Sequence, residues 1–280
     1  MSKKTKESGA LHFLYRTVIG RIVLKLLTAR WVSKLCGAFL DSGLSKPLIN
    51  KFVHSNGIDL SQFESDNFTC FNDCFCRRIK DGLRPIPNDE KTFFAPCDGL
   101  LSAYHIQENT VLPVKQSEYT LYSLLGDDEL AKKYQNGTCL VFRLCVNHYH
   151  RYCYPASGTK GENIFIKGRL HTVRPIALET YPVFSQNCRE YTILKSESFG
   201  DILQMEVGAM LVGKICNHHG AATVTRGQEK GMFLYGGSTI ILLLEKDKVK
   251  ISDHLFSATA NGEETPVVMG QVLEEATATL

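Results

Sequence analysis

The first forty residues contain no uninterrupted apolar run long enough to cross a bilayer, because lysine or arginine breaks each hydrophobic stretch. For the same reason they do not read as the h-region of a secretion signal. Charge of one sign is also scarce: 32 Lys and Arg against 29 Asp and Glu leave only +3 at pH 7, too little to imply nucleic acid as a partner. Ten cysteines are present, yet they lack the even, compact spacing of a disulfide framework, so they are expected to be reduced thiols in a cytosolic protein. Cys70, Cys74 and Cys76 lie close together but no second cluster completes a zinc site, and no metal is expected. Internal repeats and low-complexity stretches are absent as well.

What remains is an ordinary globular chain of 280 residues, 44 % hydrophobic and 22 % charged, long enough to bury one large core or two small ones. The basic residues concentrate at the start. Lys3, Lys4 and Lys6 are followed by Arg16, Arg21, Lys25, Arg30 and Lys34, about one per helical turn. Between them Leu11, Leu14, Tyr15, Val18, Ile22 and Leu26 recur at three- and four-residue spacing, which predicts a helix with one apolar face. Such a face either packs on the protein's own core or lies on an anionic membrane surface.

The helical period continues to about residue 80, with breaks at Ser42-Gly43 and Asn56-Gly57 and a short helix over Phe68–Ile79. From Phe93 onward short apolar runs alternate with turn residues. Strands are expected over Leu100–Ile106, Cys139–Val146, Asn163–Ile166, Tyr191–Leu194, Leu203–Val207, Met210–Ile215 and Ser238–Leu244, and a helix over Leu121–Tyr134. The expected fold class is therefore α+β: a helical segment over residues 1–80, membrane-facing on the second of those readings, then a β-rich catalytic domain over 81–280.

Three segments carry chemistry. Gly236-Gly237-Ser238-Thr239 leads straight into the strand-forming run Ile240–Leu244. Alone it is a tight turn. Under strain, a serine hydroxyl held against the preceding carbonyl can attack it and shift the acyl group from nitrogen to oxygen. The ester can then eliminate to dehydroalanine, which hydrolyses to a pyruvoyl group. A preceding glycine helps because it has no Cβ to obstruct the attack, and the chemistry needs a base and oxyanion donors. Pro96-Cys97-Asp98-Gly99 places a carboxylate in a constrained turn. Asn147-His148-Tyr149-His150-Arg151-Tyr152-Cys153 closes a buried strand with histidines, an arginine and a thiol, groups that tune one another's pKa.

In this order these segments resemble the phosphatidylserine decarboxylase family along nearly the whole chain. Pro96–Gly99 is similar to its Pro-x-Asp-Gly element. Val114-Lys115 through Leu124-Leu125-Gly126 is similar to Lys-Gly-x-x-Tyr-Ser-Leu-x-x-Leu-Leu-Gly, with Gln116 where glycine is usual. Tyr149-His150-Arg151 matches Tyr-His-Arg, and Phe184–Arg189 resembles Phe-x-x-Asn-Glu-Arg with Cys188 in place of the acid. Val207–Gly213, Gly231-Met232-Phe233 and the Gly-Ser-Thr of residues 237–239 follow in place.

The resemblance implies a phosphatidylserine decarboxylase that forms phosphatidylethanolamine and CO2 through a Schiff base to a self-generated pyruvoyl group. Ser238 would be the cleavage nucleophile and then the prosthetic group. A β chain would end at Gly237 and an α chain would run over 238–280. Asp98 would belong to the self-processing constellation, and His150 would donate or shuttle the proton in decarboxylation. The partners would be a phospholipid substrate and the two chains of one precursor, at the cytoplasmic face of the cell membrane, with a homodimer left open. Family members commonly carry Tyr-His-Arg-x-His, the second histidine being the processing base; here that position is Cys153. Either Cys153 takes the role, or His150, His148 or His171 does, or cleavage is slow. Two alternatives stay open: a pyruvoyl-dependent decarboxylase of a free amino acid, and a membrane-binding homologue that does not cleave.

Overall fold

The structure is a computed structural model and describes residues 9–27, 30–107, 111–114, 117–168, 183–208, 214–235 and 238–274. Lys3, Lys4, Lys6, Lys115, Gln116, His171, Met210–Gly213 and Gly236–Gly237 lie outside them.

The N-terminal region is helical: α1 Gly9–Arg16, α2 Val18–Leu27, α3 Arg30–Leu40, α4 Leu48–Ser55 and α5 Phe71–Phe75. The expected first helix is broken at Thr17, whose hydroxyl donates to Phe13 O and accepts from Gly20 N, both at 2.9 Å, closing one helix and opening the next. A Cβ on Gly20 would stand 2.0 Å from Phe13 O, so only glycine permits this close turn. The break also splits the expected apolar stripe. Tyr15 and Leu24 are buried in the main core, whereas Val18, Ile19 and Ile22 are 61–67 % exposed. Likewise Phe68–Ile79 yields only the short α5, and Ile79 instead forms an isolated bridge with Phe63.

The rest is β-rich. Its strands are β1 Gly99–His105, β2 Val111–Val114, β3 Ser117–Thr120, β4 Thr138–Leu144, β5 Arg151–Cys153, β6 Gly158–Lys160, β7 Ile164–Ile166, β8 Arg189–Ser196, β9 Gly200–Val207, β10 Ile215–Asn217, β11 Ala222–Val224, β12 Glu229–Phe233, β13 Ser238–Leu244 and β14 Thr265–Val267. The expected helix over 121–134 is two, α6 Leu121–Leu125 and α7 Asp128–Lys133. Gly126 at φ 71° ends the first, and the Asp127 side chain caps the second by accepting from Leu130 N. Of the expected strand Met210–Ile215, only Lys214 and Ile215 fall within the described residues, and β10 begins at Ile215.

Among the described residues the main sheet runs β11-β6-β8-β9-β13-β4-β1-β14, with β7 also paired to β8; β10-β12-β5 form a second sheet and β2-β3 a hairpin. All these pairings are antiparallel. β13 is central, and every one of its residues is buried, which explains its unbroken apolar run. Its side chains alternate between two cores. Ile241 and Leu243 pack with Leu203, Met205, α6 and the N-terminal helices. Ile240, Leu242 and Leu244 pack with Tyr152, Tyr154 and Phe233 of the second sheet and its margin. Each such side chain contributes about 1.5–3 kcal/mol of burial energy, so this strand anchors both layers.

Candidate active site

β13 opens with a serine and a threonine where the core is driest. Ser238 lies opposite Leu144 of β4, and Thr239 lies between Arg143 of β4 and Val207 of β9. Both are fully buried, and neither Ser238 Oγ nor Thr239 Oγ1 has a hydrogen-bond partner. A bare buried hydroxyl costs about 1–3 kcal/mol, so two in succession at the head of the best-packed strand demand a reason. By the strand alternation Ser238 shares a face with Ile240 and Leu242, the face covered by the second sheet.

His150, the residue before β5, is fully buried and packs against Phe75 with ring centroids 4.1 Å apart and planes tilted by 38°. Its Nδ1 lies 2.9 Å from His148 O. A carbonyl only accepts, so Nδ1 carries the proton and the Nε2 lone pair is free; that Nε2 is buried without a partner. Burial pushes the pKa down to about 3 against the opposing His148 carbonyl bond, with the Arg77 charge and the His148 ring, were it protonated, adding to the fall. The imidazole is therefore neutral. His148 occupies the turn after β4, where Cys145 N donates to its Nδ1 at 3.1 Å, leaving its own proton on Nε2.

Asp98 precedes β1, whose Leu100 pairs with Arg143, so the Asp98 turn, the end of β4 and Ser238 lie side by side at one end of three neighbouring strands. Its carboxylate is gripped by Arg84 in a two-pronged ion pair, Nε–Oδ1 2.8 Å and Nη2–Oδ2 2.7 Å, and Met269 N donates to Oδ1 at 2.9 Å. His148 senses its charge, which opposes the lowering of the His148 pKa by burial. Cys153 is also buried. Its thiol donates to Pro96 O at 3.4 Å, and burial pushes its pKa up to about 12. Although Tyr152 and Tyr154 pack against Ile240 and Leu242, Cys153 between them is not part of that core cluster.

Other residues of the sequence elements act as scaffold. Arg189 donates to the carbonyls of Ser123, Leu124, Ser185 and Asn187, tying α6 to β8, and Asn187 Nδ2 donates to Gly208 O at 2.7 Å. Arg151 joins Cys76 O to Glu229, which also holds His218 and Arg78. Sequence reasoning missed Phe75, Arg77 and Arg84, which no local pattern distinguishes from surface residues. It also missed the wholly buried pair Lys230 Nζ–Glu206 Oε2 at 2.6 Å. The two charges stand in different strands, each with further polar or charged residues, so no local pattern announced the pair.

An unpartnered serine hydroxyl after two glycines, a tautomer-fixed imidazole with a free lone pair and a clamped carboxylate nearby define a site suited to acting on its own backbone. A sequence model described as phosphatidylserine decarboxylase matches residues 71–273. A phosphatidylserine decarboxylase proenzyme 2 of Clostridium acetobutylicum is 40 % identical over 274 residues, covering 98 % of this chain and 94 % of that protein. A phosphatidylserine decarboxylase proenzyme of Clostridium botulinum is 43 % identical over 267 residues (93 % and 90 %), and one of Ruminiclostridium cellulolyticum 40 % over 269 (94 % and 90 %). The chain belongs to the phosphatidylserine decarboxylase family.

Proposed function

We propose that this protein is the proenzyme of a phosphatidylserine decarboxylase, which cuts itself between Gly237 and Ser238 and then converts phosphatidylserine to phosphatidylethanolamine and CO2. The observation that carries the reading is the bare, fully buried Ser238 hydroxyl at the head of β13, directly after Gly236-Gly237. A pyruvoyl group made from Ser238 would supply an electron sink for loss of CO2. The chain's own residues suit it: the buried layer excludes water, and His150 Nε2 is an unoccupied position at which a proton can be held. Asp98, fixed by Arg84, holds a carboxylate at the strand ends beside Ser238. Because β13 is hydrogen-bonded to β4 on one side and β9 on the other, an α chain of residues 238–280 stays docked on a β chain ending at 237.

A lipid substrate requires the site to be presented at a bilayer. The N-terminal helices bury Tyr15 and Leu24 but expose Val18, Ile19, Ile22, Trp31 and Leu35, beside the exposed basic residues Arg16, Arg21, Lys25 and Lys34. That composition suits a peripheral position on an anionic membrane surface, the cytoplasmic face for a chain of reduced thiols. No helix among the described residues is long and apolar enough to cross a membrane.

Denaturing intact mass spectrometry beside a Ser238→Ala control tests the cleavage. Two fragments meeting at 237/238, with the α fragment carrying a pyruvoyl end, are expected only from the parent chain. Release of CO2 from phosphatidylserine in mixed micelles, and not from free serine or aspartate, tests the substrate. A full-length mass from both proteins would falsify the reading.

A further inference from the structure

The site holds two fully buried polar atoms with complementary needs. Ser238 Oγ has a proton and no acceptor, whereas His150 Nε2 has a lone pair and no donor. Neither bonds the other in the resting precursor, but the chain leads both toward the same end of β4. Leu144, opposite Ser238, begins the turn that leads through Cys145 and His148 to His150. From the other side His150 O accepts from Phe233 N at 3.0 Å, and Phe233 packs in the same core as Ile240. Phe75, packed against the imidazole, also meets Tyr235, three residues before Ser238, with centroids 5.2 Å apart. Cys153 differs in its bonding: its thiol already has an acceptor in Pro96 O.

We propose that His150, and not Cys153, is the base that takes the Ser238 hydroxyl proton when the chain cuts itself. The inference rests on the reading of Ser238 as the self-cleavage residue. As the Oγ–H bond breaks, its proton passes to His150 Nε2 and Oγ bonds to the carbonyl carbon of Gly237. When the Gly237–Ser238 C–N bond then breaks, the same proton passes to the freed nitrogen. The ester is left in place of the amide and the imidazole ends neutral. His148 O holds the Nδ1 proton throughout, so the ring cannot present the wrong tautomer. The charged and titratable groups facing His150 are Arg77, from the segment after α5, and His148, from the turn after β4; both disfavour its protonation. It therefore keeps its acceptor lone pair throughout the range in which the protein is handled.

The test is the rate of cleavage of freshly translated precursor, followed by intact mass. On the unmodified chain, the His150 assignment gives a rate flat between about pH 5.5 and 8.5, because a group titrating near 3 stays neutral there. A thiolate base with a pKa of about 12 would instead accelerate cleavage about tenfold per pH unit. His150→Gln is expected to remain full length, and Cys153→Ala to cleave at the parental rate. Should His150→Gln fail to fold, as read by its melting curve, the pH profile of the unmodified chain still decides. A tenfold-per-unit rise that disappears in Cys153→Ala, or cleavage of a folded His150→Gln at the parental rate, overturns the assignment. Cleavage that persists in Ser238→Ala overturns the underlying reading of Ser238 instead.

Discussion

Two buried polar groups share the layer between the sheets, and they are built in opposite ways. Around Lys230 nearly everything is matched: Nζ donates to Glu206 Oε2 at 2.6 Å and to Asn217 Oδ1 at 3.2 Å, and it stands 5.7 Å from the Tyr152 ring. Asn217 in turn donates to Glu190 and Glu206 and accepts from Tyr152 OH; only Glu206 Oε1 has no partner. Around Ser238 and His150 the serine hydroxyl and the imidazole Nε2 are bare. By strand alternation Glu206, opposite Ile240, lies on the same face of the main sheet as Ser238, so burial alone does not distinguish the two groups. Saturation does. A matched network fixes a conformation, whereas an unmatched hydroxyl and imidazole hold ground-state energy that a reaction can release.

The largest expected effect tests the matched side. In a Ser238→Ala background, which on the proposed reading keeps the chain whole, Glu206→Leu leaves the Lys230 ammonium buried without its partner. The expected loss is about 3–5 kcal/mol in urea unfolding. Glu206→Leu with Lys230→Met removes both charges and is expected to unfold within about 1 kcal/mol of the background. A double variant as unstable as the single one would mean that the network, and not the lone charge, carries the energy. Burial pushes the Glu206 pKa up and the Lys230 pKa down, each opposed by the other's charge, so the two must be removed together.

A smaller effect tests the bare side through pH. His150 titrates near 3 in the fold and near 6.5 in the unfolded chain, so between these values only the unfolded chain binds the proton. Stability therefore rises with pH through that window and is level above it. Acidifying from pH 6.5 to 5 is expected to cost about 2 kcal/mol through this one residue. In His150→Gln, again in the Ser238→Ala background, that part of the slope should vanish. Identical pH dependence in the two proteins would place a charge, or water, beside His150.

How much of this was legible in the residues follows from range. The run Ser238–Leu244 declared a strand buried on both faces, and the structure places it at the centre of the main sheet, because continuous apolarity is a local signal. Asp98, His150 and Ser238 were visible as segments, yet the nearness of Asp98 to Ser238 depends on the register Leu100↔Arg143 and Leu144↔Ser238, which no local pattern states. The break at Thr17 escaped notice because a hydroxyl can end a helix without any change in the apolar period. Arg84 and Phe75 escaped because each acts across a gap in sequence, from position 84 to 98 and from 75 to 150. Strands β5, β6, β11 and β12 are 3 to 5 residues long, too short for alternation to stand out.

The smallest expected effect separates the two hydroxyls at the head of β13. Thr239 is as buried and as bare as Ser238, but alternation turns it to the opposite layer, where its strand neighbours Ile241 and Leu243 pack with Met205 and Val207. Among the described residues no buried imidazole with an unpartnered nitrogen lies on that side. Thr239→Val keeps the branched shape and removes only the hydroxyl, so the precursor is expected to gain about 1 kcal/mol in urea unfolding of the Ser238→Ala background. A loss of stability would mean that the Thr239 hydroxyl finds an acceptor in solution, and the contrast between the two faces of the strand would narrow to His150 alone.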